Sequence, residues 1–430
     1  MAKDKIVCGI DVGSSKIATL IASLSEDGRI NLIGVAATSS RGVKKGQIVD
    51  IDSAVDAITE SVESAERMAG YSVSLALVSM GGPQIESINS HAVVAVAQPG
   101  GEIRDNDILR VNEAARAIPM QASKDILHVI PRTFTVDGQE GISDPVGMTG
   151  VRLETDTHII TGSTTSMRNL AKCIGLVGVE VDELVFSGIA SAQAVLTETE
   201  KELGVVLVDV GGETTDVVIF VDGAIAYSVV IPLGGRHITS DIAVGLRVSL
   251  ESAEKIKLWL SKPQKQMVMP DEKQDEKQAN KKREEEILDL KMMGITEEVQ
   301  KMSRKAVEQG IIRPRLQEIF KFVGKEIKKS GFGSQTPSGL VICGGSAATA
   351  GLLDQAKFVL GYPARIGRIE GFVGLIDEIE SPSFATAAGL IIYGTKAGMS
   401  NEMNIPVLGR GLPIKQVTQK ISDLIKSFLP

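Results

Sequence analysis

The chain has 430 residues, more than one hydrophobic core organises, so two or more domains are expected. Hydrophobic residues at 43% and charged residues at 23% are ordinary for a soluble globular protein, and a net charge of −8 argues against general nucleic-acid binding. The three cysteines, Cys8, Cys173 and Cys343, lie far apart in apolar runs, which argues against a metal site and a disulfide framework.

The N-terminal MAKDKIVCGI is charged and then only briefly apolar, so it does not read as a signal peptide. No run reaches the roughly 18 apolar residues of a spanning helix. Residues 5–13 and 17–24 read as β-branched-rich strands joined by DVGSSK, a hairpin with Gly-Ser-Ser at its tip. A third strand covers 30–38, and 41–52 is a turn-rich link. Ser53 is expected to cap a helix that stops at Gly70, and 75–82 is a buried strand.

From 83 to 162 the strands alternate polar and apolar residues around one amphipathic helix. That texture suits an inserted α+β module with one solvated face. Residues 164–176 and 187–200 read as helical. Three strands follow over 203–231, with Asp222-Gly223 as a strong hairpin turn. One helix begins after Gly234-Gly235, and another is SLESAEKIKLWL. Residues 262–290 are charged, with almost no core positions, and read as a surface insertion. Residues 311–330 are helical, 340–353 are strand, glycine turn and helix, and 381–394 are a capped helix of small residues. A polar tether, 396–411, leads to a last helix. His91, His128, His158 and His237 are scattered and read as structural, and Trp259 as core.

Two stretches nearly repeat each other: IVCGIDVGSSKIATLIA at residue 6 and VLVDVGGETTDVVIF at residue 206. Glycine-rich hairpin tips present backbone N–H groups that cradle phosphate oxygens. In the first, Gly13, Ser14, Ser15 and Lys16 would face the phosphates; in the second, Gly211, Gly212, Thr214 and Thr215. Asp11 and Asp209 end buried strands beside the same phosphates, which two carboxylates tolerate only with a divalent cation between them. Mg²⁺ keeps its waters, so both would act through water. Gly344, Gly345 and Ser346 form a third glycine turn, expected to open a helix. Gly234 and Gly235 begin another helix, and Glu254 and Lys257 lie three apart on one helix face. Together these indicate a nucleotide cleft between two domains. Neither a P-loop nor a GxGxxG pattern is present.

In GLPIKQVTQKISDLIKSFLP, the residues Ile414, Val417, Ile421, Leu424, Ile425, Phe428 and Leu429 share an arc of roughly 140° at helical spacing. Arg410, Lys415, Lys420 and Lys426 oppose only Asp423, against the sign of the whole chain. Such a helix lies in a membrane interface and gains from anionic lipid. A helix docked on protein shares the pattern.

Hairpin, helices, second hairpin and late glycine turn is the layout of the actin, Hsp70 and sugar kinase superfamily, and within it the chain closely resembles FtsA. The resemblance covers nearly the full length, through RGVKKGQIVDIDSAVDAITESVESAERMAG, ILHVIPRTFTVDGQEGISDPVGMTGVRLE, LGGRHITSDIAVGLRVSLESAEKIK and SPSFATAAGLIIYG. It implies an actin-like (ribonuclease H-like) two-domain α/β fold around a nucleotide cleft, with an inserted α+β subdomain and a C-terminal amphipathic helix. Domain I would comprise 1–82, 163–202 and 371–395, interrupted by the inserted 83–162. Domain II would comprise 203–240, an outer subdomain 241–330 and 331–370, before the tether and the membrane helix 412–430. The resemblance further implies an ATP- and Mg²⁺-binding protein that self-associates into filaments, binds the FtsZ C-terminal tail and anionic lipids, and recruits other divisome proteins. Its place would be the cytoplasmic face of the inner membrane, at the septum. Arg313 and Arg315 fall where FtsA proteins receive the FtsZ tail.

Two departures bear on hydrolysis. Glu213 replaces a third hairpin glycine, and Ser187 stands where several relatives carry an acid. Glu213 is therefore either the candidate catalytic base or a residue that points away from or repels the γ-phosphate, with tight ATP binding and slow or absent hydrolysis expected. The rival readings are a small-molecule kinase of the same superfamily, whose catalytic Asp signature is missing, and a pilus-assembly homologue, which would lack the charged insertion and the terminal helix.

Overall fold

The computed structural model describes residues 5–98, 100–262, 288, 290, 293–295 and 303–402. The final helix at 412–430, most of the tether and most of the charged insertion lie outside the described residues.

The chain begins with β1 (Lys5–Val12), β2 (Lys16–Leu24) and β3 (Ile30–Ser39). A two-rung hairpin follows, β4 (Val43–Lys44) and β5 (Gln47–Ile48), then α1 (Ile51–Ala69) and β6 (Leu75–Met80). Ser53 does not cap α1. Asp50 does, accepting the Ser53 N–H and hydroxyl, and Gly70 ends the helix at φ 64°. The buried face of α1 carries Ala54, Ala57, Ile58, Ser61, Val62 and Ala65, the spacing of one helical stripe.

The insert contains β7 (Glu86–Ala95), α2 (Asp105–Arg116), β8 (Lys124–Val136), β9 (Gln139–Ile142) and β10 (Arg152–Ser163). Its sheet order is β7-β10-β8-β9, and it has its own small core around Ile103, Val111 and Leu153. The chain then returns through α3 (Thr164–Leu176), β11 (Glu180–Phe186), α4 (Ser187–Val195) and α5 (Glu198–Leu203). The sequence reading gives 187–200 as one helix. Thr197 breaks it by starting a capping box with Glu200.

Domain II repeats the plan with β12 (Val205–Val210), β13 (Thr215–Val221) and β14 (Ala224–Ile231). α6 (Gly235–Leu246), α7 (Leu250–Ser261) and α8 (Arg313–Ser330) pack beside the sheet. β15 (Leu340–Cys343), α9 (Leu352–Leu360) and β16 (Ala364–Ile366) complete it. The expected helix within 340–353 is absent at that place. Gly344 and Gly351, at φ 90° and 74°, hold an irregular turn, and α9 starts only at Leu352. β17 (Phe372–Gly374) then returns to pair with β3, and α10 (Ala385–Glu402) closes the described chain. α10 continues past 396, so the tether expected there begins later.

The two main sheets share one topology. Domain I orders its strands β11-β6-β1-β2-β3-β17, and domain II β16-β15-β12-β13-β14. In each, three antiparallel strands are extended by two parallel ones beyond the first strand, and domain I adds a further parallel strand, β17, beside β3. The sequence repeat is therefore a fold repeat. β12 is wholly apolar but for Asp209, because both its faces are covered: Val205 and Leu207 face the α4 side, Val206, Val208 and Val210 the α6 side.

Two helices join the domains. α10 lies on β1, where a Cβ on Gly9 would come 2.8 Å from Leu390 Cβ. α4 crosses α10 so tightly that a Cβ on Gly389 would sit 1.7 Å from the Ala190 carbonyl oxygen. No helix among the described residues is long and apolar enough to cross a membrane. Gly389→Ala should destabilise the protein by about 1–3 kcal/mol, since overpacking outweighs the helix-propensity gain of about 1 kcal/mol. Thermal unfolding of the two proteins checks this.

Candidate functional site

The tips of the two hairpins, β1–β2 and β12–β13, meet across the domain boundary. A Cβ on Gly212 would lie 2.2 Å from Ser15 Oγ, so only glycine permits this approach. Between the tips is a cavity of about 120 Å³, and Ser15, Gly212 and Gly345 also line an adjoining one of about 760 Å³. The inner cavity is lined by Asp11, Gly13, Ser14, Ser15, Lys16, Asp209, Gly211, Gly212, Thr214, Gly344 and Gly345. The outer one adds Glu213, Gly235, Glu254, Lys257 and Ser346. Thr215 and Gly234 line neither. Thr215 is fully buried and donates to the Leu233 carbonyl, and Gly234 packs against Gly211 and Gly212.

The acids sit where strand alternation puts them, at the ends of β1 and β12 facing the cleft. Asp11 accepts from Ser79 Oγ at 2.7 Å, and burial pushes its carboxyl up to about 6. Asp209 accepts from Ser191 and Thr386, one on each connecting helix, and burial again raises its pKa. Lys16 Nζ lies 3.5 Å from the centre of the Phe384 ring and donates to the Ser383 carbonyl at 2.9 Å. Burial lowers it to about 8. Glu254 pairs with Lys257 at 2.7 Å and accepts from Thr239.

α6 does not offer a free anion site. The N–H groups of Gly235 and Arg236 donate to the Gly211 and Gly212 carbonyls, at 3.0 and 2.7 Å. The Ser346 N–H and hydroxyl likewise donate to Val210 and Gly211 carbonyls. These contacts stiffen the second hairpin from behind.

Glu213 has both carboxylate oxygens engaged. Oε2 accepts the backbone N–H of Lys45 at 2.5 Å, and Oε1 pairs with Arg236 at 2.9 Å. Lys45 belongs to the β4–β5 tip, held at φ 49°, so Glu213 of domain II reaches into domain I. Arg315 is also engaged, forked onto Asp241 at 2.6 and 2.9 Å and paired with Glu318. Arg313 is exposed and stacks 5.8 Å from the Phe358 ring centre.

The sequence reading missed Asp216. It lines the inner cavity, accepts from Ser187, and leaves Oδ1 buried without a partner. Burial, then the charge of Asp209, raises it to about 8. A lone acid inside the fully buried strand TDVVIFV was the available signal, since unpaired acids are rarely buried. Ser79, Gly81, Ser383 and Thr386 also line the cavity and carry no motif of their own.

Two like-ordered α/β domains, each contributing an Asp-bearing hairpin to one cleft, define an actin-like protein. Solved structures with this fold include the PilM–PilN type IV pilus biogenesis complex (TM-score 0.62, 16% identity, 90% of this chain and 98% of that one). MreB5 of Spiroplasma citri bound to AMPPNP is another (TM-score 0.53, 12% identity, 94% and 99%). A family model described as "SHS2 domain inserted in FTSA" matches residues 82–161, and one described as "Cell division protein FtsA" matches 206–389. The Cell division protein FtsA of Pseudomonas aeruginosa is 35% identical over 426 residues, covering 99% of this chain and 97% of that protein. The chain belongs to the FtsA family of cell division proteins.

Asp216 gives a pH test. Its carboxyl titrates near 3.8 when unfolded and near 8 when folded, so the folded state holds the extra proton. Stability of the ligand-free protein therefore falls as pH rises between those values. Lys16 acts with the opposite sign and only above about 8. Asp216→Asn should make the melting temperature fall less steeply from about pH 5 to about pH 8, the remaining slope coming from Asp11 and Asp209, which burial also raises.

Proposed function

We propose that this protein is an ATP- and Mg²⁺-binding actin homologue that polymerises on the cytoplasmic face of the bacterial inner membrane at the septum. There it holds FtsZ filaments by their C-terminal tails and brings in later division proteins. The observation that carries the nucleotide part is the pair of apposed hairpins with Asp11 and Asp209 beside one cavity. The residues fit a cation: three buried carboxylates share the cleft, and one oxygen, Asp216 Oδ1, is left without a partner. They also fit a nucleotide, because glycine clears the approach between the tips and the wider outer cavity adjoins it. Asp11 and Asp209 would hold Mg²⁺ through water, and the ion would neutralise phosphate charge when bound. The fold is shared with MreB5, whose solved structure is bound to AMPPNP.

In this reading Glu213 is a fastener rather than a base. A carboxylate already bonded to Lys45 and Arg236 must leave both before it can take a proton from water. It holds the cleft shut over nucleotide, so turnover is slow. Asp216 and Ser187, bonded to each other in the inner cavity, would be the pair to orient a water. The membrane part rests on the composition of 412–430, with many weak anchors acting together along a filament.

Rapid-mixing with a fluorescent ATP analogue tests the cleft. Asp209→Asn should abolish binding, and Glu213→Ala should speed release about tenfold, equivalent to about 1.4 kcal/mol. Full binding by Asp209→Asn removes the nucleotide reading. Fast hydrolysis that Glu213→Ala abolishes restores Glu213 as the base. Separately, a chain ending at Glu402, which keeps α10 whole, should no longer sediment with anionic liposomes, whereas the full chain should.

A further inference from the structure

The inserted module enters and leaves through domain I, between β6 and α3, yet a cluster of its polar side chains, buried at His158 and exposed at Asn89, binds domain II. Ser87 and Asn89 stand two apart on β7 and so share a face. Ser87 Oγ donates to the Ser228 carbonyl at 2.6 Å, and Asn89 Nδ2 to the Ala226 carbonyl at 3.1 Å. Both acceptors belong to β14, the edge strand of the domain II sheet. The insert thus covers backbone groups that a further strand would otherwise engage. From β10, His158 Nδ1 meets Asn89 Oδ1 at 2.7 Å and Nε2 meets Ser228 Oγ at 2.9 Å.

Burial keeps the imidazole neutral, with its pKa lowered to about 3. One arrangement of protons then satisfies every member: Nδ1–H donates to Asn89, and Nε2 accepts from the Ser228 hydroxyl. His158 and Ser228 are 1% and 2% exposed, so opening this cluster would strand desolvated polar groups. Arg132 of β8 adds a contact, 5.1 Å from the Phe332 ring centre in domain II.

The domain I side is built differently. The chain enters the module at Gly81-Gly82, with Gly82 at φ 106°, and leaves past Gly162. Just above this root, His128 Nε2 accepts the Phe186 N–H at 2.9 Å, one residue before Ser187 of the cleft. Gly81 and Gly82 at the entry supply the backbone freedom a pivot needs, whereas Gly162 at the exit lies within β10, paired with Asp125.

We infer that the inserted module is latched to β14 through His158, Asn89 and Ser228 and turns with domain II, pivoting on domain I, whenever the two domains change their angle. The module thereby displays the state of the cleft on a distant surface. The inference rests on the nucleotide reading only for what drives the change.

Spin-label distances in the full chain test it, with labels on exposed positions: Leu109→Cys in the module, Met68→Cys in domain I and Val244→Cys in domain II. The native cysteines are buried. With Mg-ATP, the 109–68 and 68–244 distances should shift together while 109–244 stays fixed. A shift of 68–244 with 109–68 unchanged overturns the inference. Without nucleotide, Asn89→Ala alone, and Asn89→Ala with His158→Ala, should split the single 109–244 distance into several. An unchanged single distance in both variants overturns the latch. That arm does not depend on ATP, so failure of nucleotide binding is read separately from failure of the latch.

Discussion

The crossing of α4 over α10 is the constraint on which the rest depends. Ala190 and Gly389 bring two helix backbones into contact, and each helix belongs chiefly to a different sheet. α10 seats on domain I through Gly9, Ala387 and Gly394, while α4 carries Ser191 to Asp209 in domain II. Larger side chains at this joint would separate the sheets and with them the two hairpins. A small-residue helix such as SPSFATAAGLIIYG is thus a geometric requirement of having two acids from two domains in one cavity.

Given that frame, the cleft is an electrostatic problem held in place by packing. Asp11, Asp209 and Asp216 are buried together against one partly neutralised lysine. Without a cation the cluster opposes its own ionisation, which is the cost of preorganising a site for a charged ligand. Glu213 and the His158 cluster then tie domain II to domain I on two separate routes, one at the mouth of the cleft and one through the insert. The domains are linked by side chains as well as by chain connections.

Much of this was legible in the sequence because it is written in local patterns. The hairpins, the insert and most helices follow from apolar period, glycine and capping residues. The misses have physical reasons. Ser53 stood three residues after Asp50, and both residue types cap, so the pattern alone could not say which one did. The turn 344–351 looked like a helix start because a positive φ cannot be read from a glycine. β11, β16 and β17 went unread, being amphiphilic or only three residues long where neighbouring strands define them. In the site, the hairpin residues named from the sequence line the cavities, except Thr215. Asp216 and the Lys45 N–H were missed, because their roles exist only across a domain boundary, and Arg236 was missed, because it meets Glu213 only once α6 folds back on the hairpin. Glu213 was singled out for the right oddity, but its partners lie 23 and 168 positions away.

Domain I is assembled from the two ends of the described chain and a middle stretch that supplies α3 and β11. β1 packs against α10, and β3 takes β17 as its outer neighbour. Domain II, by contrast, is drawn from one continuous stretch, 205–366. On a ribosome adding roughly 5–20 residues per second, the first hairpin waits on the order of tens of seconds for the helix that covers it. Domain II can complete its sheet while domain I is still open on one face. The nucleotide cleft is accordingly among the last features to form, and a nascent chain short of α10 holds all the phosphate-facing residues of both hairpins without the joint that brings them together.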